Sequence, residues 1–407
     1  MYKKDYRLFI SLLLWALVPS VYLLIRMNIV SVSDVSIDIL GQMEWFDLID
    51  EVIVTTLTVP LYFLLKKENG SADRNGMAFL ISFGIYVAFT VLIAFNVSRI
   101  ADFMNAGYAS QYLLLQSFSM LTGFISTFMI LLFTLNEDDK TVKTLLVFKV
   151  IMLSFLDFVL IRKYKDIGAS YSEIGVNALV AAVSLIVVCR KGYIRFKRFE
   201  TRWIKQWCRS GLFAGIQIFL DNWIYAIMIC RMVNAVSESG NYWVANNFIW
   251  GWLLVPVHTV AEIIKKNSLE KLDYRNTWRH GIIIAVMWII TMPGWGPFIR
   301  YAMAVESETI LAIVIPNIPF YLGYIVSAFI DAWFVSKGKT IYNAGISLYV
   351  NVIYYGAVYI GFKNGLFETN MMFIIMMFGF GMVVHMLLSV ALYFFERKRS
   401  AGTAVLQ

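Results

Sequence analysis

Three carboxylates stand where the surrounding residues are apolar. Asp157 lies inside the run MLSFLDFVLI, Asp221 inside IQIFLDNWIY, and Asp34 at the outer end of the first apolar stretch. An ionisable group within a membrane span costs about 2.5–3.5 kcal/mol on insertion scales, so each needs a reason. In low dielectric a carboxylate takes up a proton or holds a cation, because the bare charge is expensive there. Asp157 and Asp221 therefore read as a transport or cation site, or else as structural hydrogen bonds to a neighbouring helix. For Asp34 the simpler alternative is an outer loop. Arg26, also in the first stretch, could neutralise a nearby acid. Lys149 reads as a side chain reaching back to the cytosolic face. Asp331 and Glu262 read as interfacial residues beside Lys337 and Lys265, and His258 and His385 as helix-packing residues.

Uncharged polar and aromatic residues fall in stripes. Gln217, Asp221 and Tyr225 recur at i, i+4, i+8. Asn317, Tyr321, Tyr324, Ser327 and Asp331 follow at steps of three or four, as do Asn343, Ser347, Asn351 and Tyr355. Trp243, Asn246 and Trp250, again at steps of three and four, make a fourth stripe. Residues so spaced project from one side of a helix. One stripe can be glue between helices. Four in the second half of the chain predict a wet, aromatic-rich cavity, with planar organic cations binding between the halves; an aromatic packing seam is the rival reading. Aromatic faces attract cations, more strongly once both are desolvated.

The elements that must carry these residues are membrane helices. Hydrophobic residues make up 59% of the 407 and charged ones 15%, with a mean hydropathy of +0.69, which excludes a soluble globular protein. A span needs about 20 mainly apolar residues. That rule predicts an all-α polytopic membrane protein of twelve helices, at 7–35, 49–66, 76–98, 111–135, 142–162, 170–189, 211–233, 238–264, 278–299, 307–336, 341–361 and 370–395. The net charge of +8 sits mostly in short loops, so it reads as topology and contact with anionic lipid rather than nucleic-acid binding. Three cysteines without metal spacing and three histidines leave little room for thiol or histidine metal chemistry.

Positive charge clusters in the even loops, most densely in CRKGYIRFKRFETRWIKQWCRS, Cys189 to Ser210. Lys and Arg are retained on the cytoplasmic side during insertion, so both termini and this stretch are predicted to be cytosolic, in a plasma membrane. Arg162, Lys163 and Lys165 dissent, falling on the predicted outside. The first odd loop, 34–51, is acidic. Tyr193, Phe196, Phe199, Trp203 and Trp207 recur every three to four places, which predicts either an amphipathic helix in the headgroup layer or a solvated loop.

Weak internal echoes, VPLYFLLKKEN against VPVHTVAEIIKKN and Lys140-Thr141 against Lys339-Thr340, lie six helices apart. They predict two six-helix lobes with pseudo-two-fold symmetry about the membrane normal: residues 1–189, a linker at 190–210, and 211–399. Residues 400–407 are expected to be a disordered tail or a remnant of expression.

Several stretches resemble the multidrug and toxic compound extrusion (MATE) family of the polysaccharide-exporter superfamily. Pro19 followed by Asp34 and Leu40-Gly41 is similar to the family's first helix. LDFVLI resembles its Leu-Asp-Pro stretch, with Phe158 where proline is usual and Leu153 where members carry asparagine. IGVNALVAAV, GLFAGIQIFLD, VANNF…VP and KGKT are similar to its sixth, seventh and eighth helices and its tenth loop. The resemblance implies an antiporter exporting bulky, often cationic organic compounds against Na⁺ or H⁺. It implies Asp34 and Asp157 as the cation site, holding Na⁺ where that is the ion, and Asp221 as a further carboxylate. No cofactor beyond the coupling ion is expected, and the chain is expected to act as a monomer on small organic substrates within membrane lipid. The alternatives are a lipid or lipid-linked-glycan flippase, which would want a more cationic cavity, and a membrane-embedded acyltransferase, which would want a partnered histidine.

Overall fold

A computed structural model describes residues 3–33, 35–65, 72–196, 203–267 and 274–404. They are helical, with no strand among the described residues. The chain runs through α1 (Lys3–Ser31), α2 (Ile37–Gly41), α3 (Met43–Leu64), α4 (Ala72–Phe103), α5 (Ser110–Leu135), α6 (Asp139–Lys191), α7 (Ile204–Tyr225), α8 (Arg231–Ala235), α9 (Ser239–Phe248), α10 (Val255–Asn267), α11 (Tyr274–Thr291), α12 (Trp295–Pro297), α13 (Ser307–Ser336), α14 (Thr340–Leu348), α15 (Tyr355–Lys363) and α16 (Met371–Ala404). Four π-helical segments, at 226–230, 249–253, 298–302 and 349–354, join shorter helices into longer rods.

By length and composition, eight of the described helices can cross a membrane, or nine when the pair bent by 50° around Leu254 counts as one. The predicted twelve is not reached by that test, for physical reasons. The predicted spans 49–66 and 211–233 fall on α3 and on α7 with α8, which carry Glu44, Asp47, Asp50 and Glu51, and Lys205, Arg209 and Asp221. α6 counts once but is two rods. At 1.5 Å per residue its 53 residues would stretch about 80 Å, yet Lys191 at one end bonds Asp138 at the other. The chain reverses at Lys165, whose φ of 56° and ψ of −132° break the helix. Its basic neighbours Arg162 and Lys163 lie over the rings of Phe158 and Tyr164.

The chain divides into two compact bodies, residues 25–234 and residues 1–24 with 235–407. Residues 190–210, expected as the linker between lobes, lie inside the first of these. There α7 packs along α3, and α5 along α6. Tyr86 stacks on Phe124 at 4.2 Å in a core shared by α3, α4 and α5.

Where it is described, the central basic stretch is a strap followed by helix: residues 204–210 open α7, and Phe196 is exposed. α6 ends on Gly192, at φ 70° in the left-handed region that glycine enters without strain. An extended strap follows: Arg195 N–H donates to Ala72 O at 2.8 Å, and Tyr193 O accepts from Asn75 at 2.8 Å. Trp203 stacks on Trp207 at 5.2 Å, and the buried Trp207 indole donates to Leu57 O. Tyr193, Trp203 and Trp207 thus pack into the protein core rather than a headgroup layer. Phe199 lies outside the described residues. At the other end, α16 continues to Ala404, into the stretch expected as a tail.

Candidate functional site

In the body of residues 25–234, the hairpin in α6 places Asp157 on one arm opposite Ser172 and Glu173 on the other. Asp157 is completely buried. Arg26 of α1 donates to it through Nε at 3.0 Å and one terminal nitrogen at 3.4 Å, and pairs with Glu173 through the other terminal nitrogen. Ser172 donates a hydroxyl hydrogen to Asp157, and Ala169 O accepts from Arg26 at 3.4 Å. The guanidinium therefore stands in the position expected for a bound cation. It cannot lose its proton in a protein, so Asp157 already holds a permanent counter-charge.

The first turns of α3 add more acids. Residues 44–48, predicted as loop, are helical, so α3 begins before the predicted span 49–66. Tyr86 donates to Asp50, Tyr225 to Glu44 at 3.1 Å, and Asn222 to Glu51 at 2.9 Å and Leu48 O at 3.1 Å. Asp47 stands on the same turns of α3, with Glu173, Asp50 and Glu44 among its charged neighbours. Glu173 is likewise a charged neighbour of Lys149.

Of the predicted cation-site residues, Asp34 lies outside the described residues. Asp157 is buried and paired. Asp221 is half-buried on α7, beside the Asn222 and Tyr225 contacts to α3. Gln217 belongs to α7, but its side chain lies outside the description. No group of three His, Cys, Asp or Glu residues gathers as a metal centre among the described residues.

The other candidates belong to the body of residues 1–24 and 235–407, apart from Tyr225, whose described partner is Glu44. Trp250 sits on a π-helical segment and is 38% exposed. It meets Tyr324 at 5.6 Å and His258 at 5.2 Å between ring centroids, and His258 Nε2 lies 3.2 Å from the Tyr324 hydroxyl. Tyr321 is buried against Tyr324 at 6.1 Å. Trp243, Asn317, Ser347, Asn351 and Tyr355 are buried; Asn246 and Asn343 are half-buried. Asn351 donates to Ser347 at 3.2 Å and Asn317 to Ile313 O at 2.9 Å, bonds within their own helices.

Sequence reasoning missed several partners. Glu173 stands inside the predicted span 170–189, so the rule that singled out Asp157 applies to it equally. His258 and His385 have companions: His385 Nε2 lies 2.7 Å from Asp331, which also accepts from Ser389 at 2.9 Å. Asp331 is thus paired with α16 rather than set beside Lys337. Glu262, read as an interfacial residue beside Lys265, pairs with it at 2.6 Å. At the start of α14, Lys339 and Tyr342 both engage Glu396.

No family model and no curated protein matches the sequence. Solved structures do. An inward-facing multidrug resistance MATE family transporter of the MOP superfamily superposes with a TM-score of 0.74 at 14% identity, over 94% of both chains. Lipid II flippase MurJ in an inward closed conformation gives 0.68 at 14%, over 94% of this chain and 86% of that one. A MOP superfamily transporter from Pyrococcus furiosus, described as having a binding pocket of reversed polarity, gives 0.67 at 14%, over 97% and 95%. Similarity that spans nearly every residue at such low identity is similarity of fold: this all-α chain has the architecture of the MATE transporters of the MOP superfamily.

Proposed function

We propose that the chain is a secondary active transporter that exports bulky organic compounds, cations among them, by alternating access coupled to Na⁺ or H⁺. One observation carries this: carboxylates outnumber basic groups around Arg26 in the first body. Asp47, Asp157 and Glu173 face Arg26 and Lys149, with Glu44 and Asp50 close by on α3. Excess negative charge in a low dielectric is relieved by a cation or a proton. If the ion binds one conformation better, it biases the equilibrium between inward- and outward-open states. A carrier of anionic lipid would want the opposite balance of charge. Twelve spans and cytosolic termini belong to the same proposal.

The test is transport of ethidium by purified protein in liposomes under an imposed Na⁺ or proton gradient. Ethidium movement that accelerates with either gradient and collapses when it is dissipated is the expected result. Movement no faster than in empty liposomes under both gradients would overturn the reading.

A further inference from the structure

We infer that the outer face of α7 binds an anionic phospholipid, its phosphate held by Lys205 and Arg209 and its acyl chains laid along Leu212 and Ile216. The rotation of α7 is set by its packing on α3. Trp207, Gly211 and Gly215 recur every fourth residue and so share one face. On that face the Trp207 indole donates to Leu57 O at 2.9 Å, and a Cβ on either glycine would collide with Thr56. Asn222 continues the contact through Leu48 O and Glu51. Lys205, Arg209, Leu212, Ile216, Phe219 and Trp223 follow one another at steps of three and four on the other side, and all six are exposed.

This outer face changes character once along its length, from basic to apolar. Leu212 and Ile216 are 61% and 62% exposed, a cost in water but not in hydrocarbon. From Lys205 to Ile216 the helix rises about 17 Å, close to one leaflet of a hydrocarbon core roughly 30 Å thick. Side chains on a helix lean toward its start, and long basic ones reach back to water, so both cations are carried into the headgroup layer. At the far end Phe219 stacks on Trp223 at 5.7 Å and Trp223 on Phe103 of α4 at 6.5 Å, and Arg231 lies over Phe103 at 4.4 Å. Aromatic rings collect at membrane interfaces, and this ladder stands about 27 Å from Lys205, where the opposite headgroup layer would lie.

Charge selects the occupant. Among the described residues neither Lys205 nor Arg209 forms an ion pair. Like charges one turn apart repel, and a phosphate between them relieves that repulsion. A second copy of the chain is opposed by the same charges. A two-fold contact about the membrane normal would set Lys205 and Arg209 of each copy against those of the other at one depth. The site needs α7 to cross the bilayer, as the proposed twelve spans require, and is independent of what the chain carries.

The test is native mass spectrometry of the purified full chain in neutral detergent, titrated with dioleoylphosphatidylglycerol or dioleoylphosphatidylcholine, with melting temperature followed in parallel. One phosphatidylglycerol per chain should bind saturably, about tenfold tighter than phosphatidylcholine, and raise the melting temperature. Inorganic phosphate should do neither. Lys205→Gln combined with Arg209→Gln should abolish the preference while circular dichroism stays unchanged. Lys363→Gln, at an exposed lysine of the other body, should keep it. Equal binding of the two lipids by the parent protein overturns the site, as does an undiminished preference in the double variant. A phosphate effect equal to that of the lipid, or dimers of the chain in place of lipid adducts, overturns it too. No transport enters this measurement, so the site and the transporter reading fail separately.

Discussion

Arg26 sets what each acid near it can do. A buried ion pair contributes little net stability, but removing one partner strands the other at about 3–5 kcal/mol. The two partners are not equivalent here. Arg26→Gln leaves Asp157 wholly buried without its guanidinium, the Ser172 hydroxyl remaining among its described partners, whereas Asp157→Asn leaves Arg26 with the Glu173 carboxylate and the Ala169 carbonyl. Arg26→Gln should therefore cost about 3–5 kcal/mol and Asp157→Asn distinctly less. The double variant should recover more than 1 kcal/mol of the summed loss, because residues in one network couple. Thermal melting of the four proteins in detergent measures this. Strictly additive losses would mean that the pair is incidental. Asp157 could be found in the sequence because an acid in an apolar run is conspicuous. Its neutralisation could not, because residues 26 and 157 are joined only by the fold.

Among the elements, the reversal within α6 is held at its open end by Lys191, which donates to Asp138 and, at 3.0 Å, to Thr141. The Lys191 hydrogen bond holds the Asp138 carboxyl below its ordinary range, with a smaller contribution from Thr141. A carboxyl depressed in the folded state adds stability that is complete above its unfolded value of about 3.9. That stability is lost as pH falls through the lower folded value. Both side chains are partly exposed, so the pair belongs in the surface range of about 0.2–1 kcal/mol. Lys191→Met should lower the melting temperature slightly at pH 7, and the difference should close by about pH 2. A difference that persists in acid would belong to packing against Phe133 instead. The apolar runs that gave the helices were legible because hydropathy adds along a window. The start of α3 was lost to the same rule: residues 43–48, with Glu44 and Asp47, read as acidic loop, and the predicted span opened at 49, next to Asp50 and Glu51. The π-helical segments under Trp250 and Asn351 leave no hydropathy signal, since they change backbone bonding and not composition.

At the scale of the whole molecule, the Lys/Arg asymmetry predicts sidedness. The rule works through retention of basic residues during insertion, and the densest basic stretch runs from Cys189 to Ser210. Part of that stretch is now seen to be docked on Ala72 and Asn75, with Trp207 buried against Leu57. Such docking fixes its place on the protein. Cys208 can report the side, because it is exposed on α7, while Cys230 is buried and Cys189 exposed. A variant keeping Cys208 alone should resist an impermeant maleimide in intact cells and react once the membrane is opened. Lys205 and Arg209 flank this thiol, so a negatively charged reagent would be drawn to it from whichever side has access. Labelling in intact cells would therefore be unambiguous, and would place the basic stretch outside and reverse the proposed orientation of the chain.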